Sequence, residues 1–238
     1  MQSTALPVAD SAQPRWGVRA ILMGIAIYLG LLLVVFGSAG IVARLIVIPP
    51  DVRPYLNAAA LVVGEALMLV PVGIMAVVVA RGSWSAVGFR RFDVMLGCTL
   101  PMTYLLLAFC GSALWGLVLH AQGWDTQADI VSGFKDNPIL VALALIAVSV
   151  AAPIAEEAFF RGFLIGGLRD RVGNVGALLI SAAIFTLPHL PVSIYPAIFG
   201  LGLLLGLLFL QTGSLWPGVL MHAAFNTIGF VAQFAVSR

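Results

Sequence analysis

Residues 138–168 read PILVALALIAVSVAAPIAEEAFFRGFLIGGL and decide the fold of this chain. The stretch is long and apolar enough to cross a bilayer, because one membrane helix needs about 20 mainly apolar residues. Glu156, Glu157 and Arg161 nevertheless lie within it. An ionised side chain at the bilayer centre costs about 3 kcal/mol on insertion scales, so such residues usually face a bundle interior and serve a function. The stretch therefore predicts a membrane helix with a chemical site.

The composition of the whole chain is that of a membrane protein. Of its 238 residues, 61% are hydrophobic and 9% are charged, and the mean hydropathy is +1.09. A soluble domain has about 25% charged residues, so this chain lacks the polar side chains that a water-facing surface requires. A net charge of +2 does not indicate a nucleic-acid partner. We expect an all-α polytopic bundle surrounded by lipid.

Turn residues and charges divide the apolar sequence into about seven membrane helices, within a range of six to eight. The first apolar run is longer than the apolar core of a signal peptide, so we interpret it as an uncleaved span. The chain divides into a polar tail at 1–19, three membrane helices within 20–137, and a membrane core with the chemical motifs at 138–238. The predicted spans are 20–43, 56–80, 94–119, 138–168, 175–190, 194–210 and 215–236.

The positions of lysine and arginine orient the bundle. With a cytoplasmic N-terminus, eight of the 12 basic residues fall on inside segments, or seven if Arg161 is counted as intramembrane. Cytoplasmic loops carry an excess of positive charge, so this orientation is favoured. The low lysine content and short loops favour a bacterial inner membrane. The inside residues are Arg15, Arg19, Arg81, Arg90, Arg91, Arg161, Arg169 and Arg171, and the outside residues are Arg44, Arg53, Lys135 and Arg238.

A histidine on the following helix is predicted to lie level with the glutamates. If residues 169–173 form the turn of an antiparallel hairpin, Glu156 lies sixteen residues before Val172 and His189 lies seventeen after it. At a rise of about 1.5 Å per residue, both lie roughly 25 Å from the turn. A carboxylate and an imidazole at one depth can share a water molecule.

The two glutamates point about 100° apart on a helix and therefore need different partners. Glu157 and Arg161 are four residues apart with the acid first, which is the favourable order for an ion pair. Glu156 then has no partner on its own helix and is the candidate general base. His222 and Asn226 project from one face of the last span, where an imidazole and an amide donor are suited to stabilise an oxyanion.

Several polar or aromatic residues have simpler structural interpretations. Glu65 is an isolated intramembrane acid that could be hydrogen-bonded structure, and we leave it out of the site. Phe185 is better explained by packing in the core than by a role in the site. Pro188 and Pro191 are most simply explained as residues that terminate a helix. An acid pair, an arginine, two histidines and an asparagine on three helices nevertheless favour a functional site.

Three motifs together resemble a known family. The segment Glu156–Arg161 matches Glu-Glu-x-x-x-Arg, Phe185–His189 matches Phe-x-x-x-His, and His222–Asn226 matches His-x-x-x-Asn. In this order on successive spans, they look like the CAAX-protease and bacteriocin-processing family, which includes the type II CAAX prenyl endopeptidases. The stretch Trp84–Arg91 is also similar to the segment that members carry before the third span. The motif region covers residues 138–235.

The resemblance implies an intramembrane endopeptidase that hydrolyses a peptide bond of a membrane-associated peptide or protein. It also implies roles by position: water activation by Glu156 and His189, oxyanion stabilisation by His222 and Asn226, and support of the site by Glu157 and Arg161.

Other functions stay open. A zinc-dependent peptidase could use Glu156, His189 and His222 as ligands, but the chain has no His-Glu-x-x-His helix, and we expect no cofactor. A proton-coupled transporter also buries acids and histidines, although no inverted repeat is visible. A non-catalytic bacteriocin-immunity protein would keep the fold without the activity. Prenylated substrates are not expected in bacteria, and the sequence indicates neither the substrate nor the oligomeric state.

Overall fold

The computed structural model describes residues 16–124 and 136–236, and every regular element in these two ranges is helical. This confirms the all-α prediction. Most of the predicted tail (residues 1–15), the loop residues Asp125, Asp129 and Lys135, and Arg238 lie outside the described residues. The α-helices are α1 (Val18–Leu45), α2 (Arg53–Ile74), α3 (Val94–Gln122), α4 (Pro138–Ile146), α5 (Ala152–Glu156), α6 (Gly166–Thr186), α7 (Tyr195–Thr212) and α8 (Trp216–Val236).

In the described part of the chain, six helical runs are long and apolar enough to cross a membrane. The longest, Pro138–Thr186, has 49 residues, and Gly173 breaks it with φ 71° and ψ 172°. The Ser181 hydroxyl donates to the Phe160 carbonyl at 2.9 Å, and the rings of Phe160 and Phe185 lie 5.2 Å apart. The run is therefore an antiparallel hairpin, and its two limbs correspond to the fourth and fifth predicted spans.

Within residues 16–124 and 136–236, three π-helical segments, in which the helix is wider than an α-helix, lie at Met75–Val79, Ala147–Ala151 and Glu157–Ile165. In the last of them, the amide of Gly166 donates to the carbonyl of Arg161, five residues earlier. We call Glu157–Ile165 the site segment. All nine of its residues are buried. Because π-helical turns are rare and occur often at functional sites, two such segments around α5 single out this part of the chain.

The site segment lies inside the bundle. α2, α6 and α7 pack against it, α8 packs against α5, α1 packs on α2, and α3 packs on α7 and α8. The indole of Trp16, just before α1, donates to the carbonyl of Phe163 at 2.7 Å. The Trp16 and Phe163 rings also stack, with centroids 6.0 Å apart. The beginning of α1 is thus attached to the site segment.

Contacts between turns show which connections share an end of the bundle. The Arg90 side chain donates to the carbonyl of Gly213, so the connection between α2 and α3 lies on the turn between α7 and α8. At the other end, the Trp115 indole donates to the carbonyl of Ser193 at 2.7 Å. This arrangement matches the alternation of sides that the predicted spans require.

Candidate active site

Glu157 and Arg161 form a buried ion pair at the centre of the bundle. Nη1 of Arg161 donates to Oε1 of Glu157 at 2.9 Å, and Nη2 donates to the carbonyl of Gly202 at 3.1 Å. The two residues are 1% and 0% exposed. A buried charge pair is tolerated only when good geometry and further hydrogen bonds compensate for lost hydration. The ion pair that the spacing of Glu157 and Arg161 predicted is therefore present. The backbone carbonyl of Gly202 accepts a further hydrogen bond from the same arginine.

Phe185 lies under this ion pair. Cζ of Arg161 is 4.6 Å from the centroid of the Phe185 ring, which is within the range of a cation–π interaction. The same ring lies 5.0 Å from the His189 ring and 5.9 Å from the His222 ring, centroid to centroid. The sequence interpretation of Phe185 as a core residue is compatible with its burial, but the ring also connects the arginine and both histidines.

His222 of α8 lies against both glutamates. Its Nδ1 is 3.2 Å from Oε1 of Glu157, and its Nε2 is 3.6 Å from Oε2 of Glu156. Oε1 of Glu157 already accepts a hydrogen bond from Arg161. Nδ1 of His222 must therefore be the donor in its contact with the same oxygen. In a neutral imidazole the other nitrogen is then an acceptor. Nε2 therefore faces Glu156 at a separation beyond a direct hydrogen bond.

Unlike the neighbouring Glu157, Glu156 has a buried carboxyl oxygen, Oε2, that lacks a hydrogen-bond partner in the described chain. This atom is buried and has no hydrogen bond within residues 16–124 and 136–236. The side chain as a whole is 12% exposed. Leaving a buried polar atom unsatisfied costs about 1–3 kcal/mol, and such atoms in folded proteins call for a water, an ion or a catalytic role. The Glu156 carboxyl is thus available to a water molecule.

His189 lies in the turn after α6, outside the runs that are apolar enough to span the membrane. Its Nδ1 donates to the Phe185 carbonyl at 2.8 Å, which leaves Nε2 as the acceptor of a neutral ring. Burial lowers the pKa of His189 below its usual value and favours this neutral form. No hydrogen bond joins His189 to Glu156 in the described ranges. The two residues are instead connected through Phe185 and His222.

Asn226 is placed by contacts with the π-helical segment before α5. Its Nδ2 donates to the carbonyl of Val148 at 2.8 Å, and the next residue, Thr227, donates to the hydroxyl of Ser149 at 2.8 Å. One of the two amide protons of Asn226 is therefore bound to the backbone. The same contacts attach α8 to the chain that leads into Glu156.

Glu65 belongs to the site region, although sequence reasoning left it out. α2 packs against α5, which brings Glu65 into the electrostatic surroundings of Glu156, and Tyr28 of α1 interacts electrostatically with both. Oε2 of Glu65 is also buried without a hydrogen-bond partner in the described chain. The only sequence signal was an acid within an apolar span, because nothing in the sequence shows that α2 packs against α5.

The arrangement of donors bears on a zinc site. Within the described residues, no group of three or more His, Cys, Asp or Glu side chains is placed to hold a metal ion. Of the candidate ligands, Nε2 of His222 lies 3.6 Å from Oε2 of Glu156, whereas no hydrogen bond or ion pair among the described residues joins His189 to either of them.

Comparison with known proteins agrees with the three motifs. Residues 138–228 match the family model described as type II CAAX prenyl endopeptidase Rce1-like. A curated protein of Bacillus subtilis (strain 168), named "Putative membrane peptidase YdiL", is 29% identical over 135 residues. The alignment covers 57% of this chain and 55% of that relative, so it spans about half the length of each. No solved structure matches the chain. The resemblance to the CAAX-protease family is confirmed.

Proposed function

We propose that this chain, whose residues 138–228 match the model of the type II CAAX prenyl endopeptidase family, is an intramembrane endopeptidase that cleaves a membrane-associated peptide or protein with activated water. The observation that supports it best is the buried, unpartnered Oε2 of Glu156, 3.6 Å from Nε2 of His222. Both atoms are acceptors when the ring is neutral and the carboxyl is ionised. A water molecule that donates to both would satisfy them.

In the proposed reaction, Glu156 removes a proton from this water while the water oxygen attacks the scissile carbonyl carbon. His189 is the second residue that activates the water in this proposal. The proton taken from the water is then shared between Glu156 and Nε2 of His222, so that this nitrogen becomes a hydrogen-bond donor to the oxyanion. The amide proton of Asn226 that is not bound to the Val148 carbonyl is the second donor. Transfer of the proton to the amine nitrogen then breaks the C–N bond, which leaves a carboxylic acid and an amine.

Glu157 and Arg161 support this chemistry without contacting the reacting atoms. Oε1 of Glu157 accepts from both Arg161 and His222, so the carboxylate fixes the tautomer and the orientation of the imidazole. Arg161 in turn fixes the carboxylate. A histidine oriented by a carboxylate recurs in hydrolytic sites for the same reason.

The enclosure of Glu156 and His222 within a bundle of apolar helices supports a substrate that enters from the lipid. The proposal needs no cofactor. It includes a location in a bacterial inner membrane with a cytoplasmic N-terminus, for which the arginine distribution is the support.

The test compares wild-type protein with Glu156→Gln and His189→Ala in membrane fractions and searches for peptides with new C-termini. We expect both variants to insert and purify normally and to lose the cleavage products. His120→Ala is the matched control, because His120 is exposed on α3 and should leave cleavage unchanged. Cleavage that persists in Glu156→Gln would remove the assignment. If no new C-termini appear in the wild-type sample or in any variant, the result would instead favour an immunity protein or a transporter.

A further inference from the structure

The connection between α2 and α3 holds Arg90 in a fixed position at an end of the bundle. Nε of Arg90 donates to the carbonyl of Gly213, the residue that ends α7. The carbonyl of Arg90 accepts from the Ser214 hydroxyl at 2.7 Å, and the carbonyl of Gly88 accepts from the Leu215 amide at 2.9 Å. Both the side chain and the backbone around Arg90 are therefore fixed against the turn between α7 and α8.

The two Nη groups of Arg90 are left for a ligand. The bond to Gly213 uses only Nε, and no acid in the described part of the chain pairs with this partly buried guanidinium. Burial lowers the pKa of Arg90 below its usual value, but an arginine stays protonated in proteins. A fixed guanidinium with a free pair of nitrogens matches the oxygens of a phosphate group.

An aromatic cluster beside Arg90 indicates the level of the lipid headgroups. The ring of Phe89 lies 6.0 Å from the ring of Trp84 and 5.5 Å from that of Trp216, centroid to centroid. The two tryptophans are 45% and 40% exposed. Tryptophan is enriched where the hydrocarbon core meets the headgroups, and α3 begins shortly after Arg90 with the exposed Val94. Arg90 therefore lies where the phosphate groups of a bilayer are expected.

Arg91 adds a second positive charge beside Arg90. It is exposed, and none of the ion pairs within residues 16–124 and 136–236 includes it. The arginine distribution assigns this connection to the cytoplasmic side, where anionic lipids attract basic segments. The stretch Trp84–Arg91 thus combines aromatic and basic side chains, and the proposed peptide hydrolysis gives it no role.

We propose that Arg90 and Arg91, together with the indoles of Trp84 and Trp216, bind the phosphate group of an anionic phospholipid at the membrane surface. The Nη groups of Arg90 donate to two phosphate oxygens, and Arg91 adds electrostatic attraction. The indoles pack against the glycerol and the first methylene groups of the lipid. A soluble phosphate would use the same arginines but would gain nothing from the indoles. The site is independent of peptide hydrolysis, since an inactive protein of this fold would bind the lipid in the same way.

A purely structural role for Arg90 makes a different prediction. An arginine that only caps the C-terminus of α7 would make the same bond to Gly213. Such a cap needs neither the charge of Arg91 nor the exposed indole of Trp84. Variants at these two positions therefore separate lipid binding from capping, and neither residue takes part in the bond to Gly213.

Native mass spectrometry of the purified protein in a neutral detergent measures the fraction that retains an added lipid. We expect the wild type to retain phosphatidylglycerol more strongly than phosphatidylcholine, whose choline group carries a positive charge. Arg90→Gln should lower this retention about tenfold or more, because it removes charge-assisted hydrogen bonds. Arg91→Gln should lower it about fivefold through the lost surface charge, and Trp84→Ala should also lower it. Arg171→Gln is the matched control, because this exposed arginine is assigned to the same side of the membrane and should leave retention unchanged.

Several results would overturn the proposal. These are equal retention of the two lipids by the wild type, retention that survives Arg90→Gln, and equal effects of Arg91→Gln and Arg171→Gln. If Arg90→Gln does not fold, Arg90→Lys decides. An ammonium can still donate to the Gly213 carbonyl but lacks the planar pair of nitrogens, so retention should fall, and unchanged retention contradicts the site. Glycerol phosphate at the concentration of the lipid should not displace it; displacement would identify a site for soluble phosphate instead.

Discussion

Gly218 of α8 lies directly against the carboxylate of Glu157: a Cβ atom at position 218 would be 2.9 Å from Oε2 of Glu157. The other oxygen of this carboxylate accepts from Arg161 and His222. The missing side chain at Gly218 therefore makes room for the group that orients the histidine.

Gly218→Ala should displace the Glu157 carboxylate and loosen its hold on His222. We expect a loss of about 1–3 kcal/mol in stability, which is the usual effect of overpacking, and a fall in proteolysis of about tenfold or more from the misplaced imidazole. The control is Gly229→Ala on the same helix, where a Cβ meets no atom within 4 Å. Thermal unfolding in detergent and a cleavage assay measure both effects. Equal results for the two variants would show that the approach at Gly218 has no consequence.

The Glu157–Arg161 pair should behave as a structural unit. Glu157→Gln and Arg161→Met each leave a buried charge uncompensated, a loss of about 3–5 kcal/mol. The double variant should recover much of the melting temperature, because no unpaired charge remains. Recovery should stay incomplete, since the bond from Arg161 to the Gly202 carbonyl is also lost. A double variant that falls by the sum of the single losses would mean that the residues do not stabilise each other.

Gly162 should be intolerant of any side chain. A Cβ at this position would be 2.5 Å from the carbonyl oxygen of Val87, which is backbone and cannot swing away. We expect Gly162→Ala to lower stability by about 1–3 kcal/mol and to expose the connection at 82–93 to added protease. Gly200→Ala in α7, with no atom within 4 Å of its Cβ, should not. Unchanged melting and digestion of Gly162→Ala would contradict this contact.

Removal of metal should not remove activity. We expect the purified protein to keep its proteolysis after dialysis against a strong zinc chelator, because no three His, Cys, Asp or Glu side chains among the described residues are grouped to hold a metal ion. Inactivation that stoichiometric zinc reverses would support the zinc-dependent peptidase, with Glu156, His189 and His222 as the ligands.

The orientation of the bundle can be measured by cysteine labelling. Cys98 and Cys110 are free and exposed on α3, so they are first changed to serine. Ser85→Cys and Val172→Cys, both at exposed positions, should react only after the membrane is opened, whereas Asp51→Cys should react in intact cells. The arginine distribution is the reason for this expectation. Labelling of position 85 from outside intact cells would reverse the orientation.

Local sequence determined the parts of this protein that depend on near neighbours in the chain. Apolar runs of about 20 residues with few charges predict helices in lipid, because a helix bonds every backbone polar group within its own segment. The spacing of Glu157 and Arg161 fixed their ion pair, since helix geometry alone brings residues four apart together. The hairpin followed from the charged turn around Gly173.

Tertiary structure decided which helix faces meet. Rotation and offset between helices depend on side-chain packing, and the π-helical segments around α5 change both the residues per turn and the rise that simple helix arithmetic assumes. For this reason His222 contacts both glutamates, and His189 reaches them only through Phe185 and His222. Glu65 enters the electrostatic surroundings of Glu156 only because α2 packs on α5, although the two acids are ninety-one residues apart in the sequence.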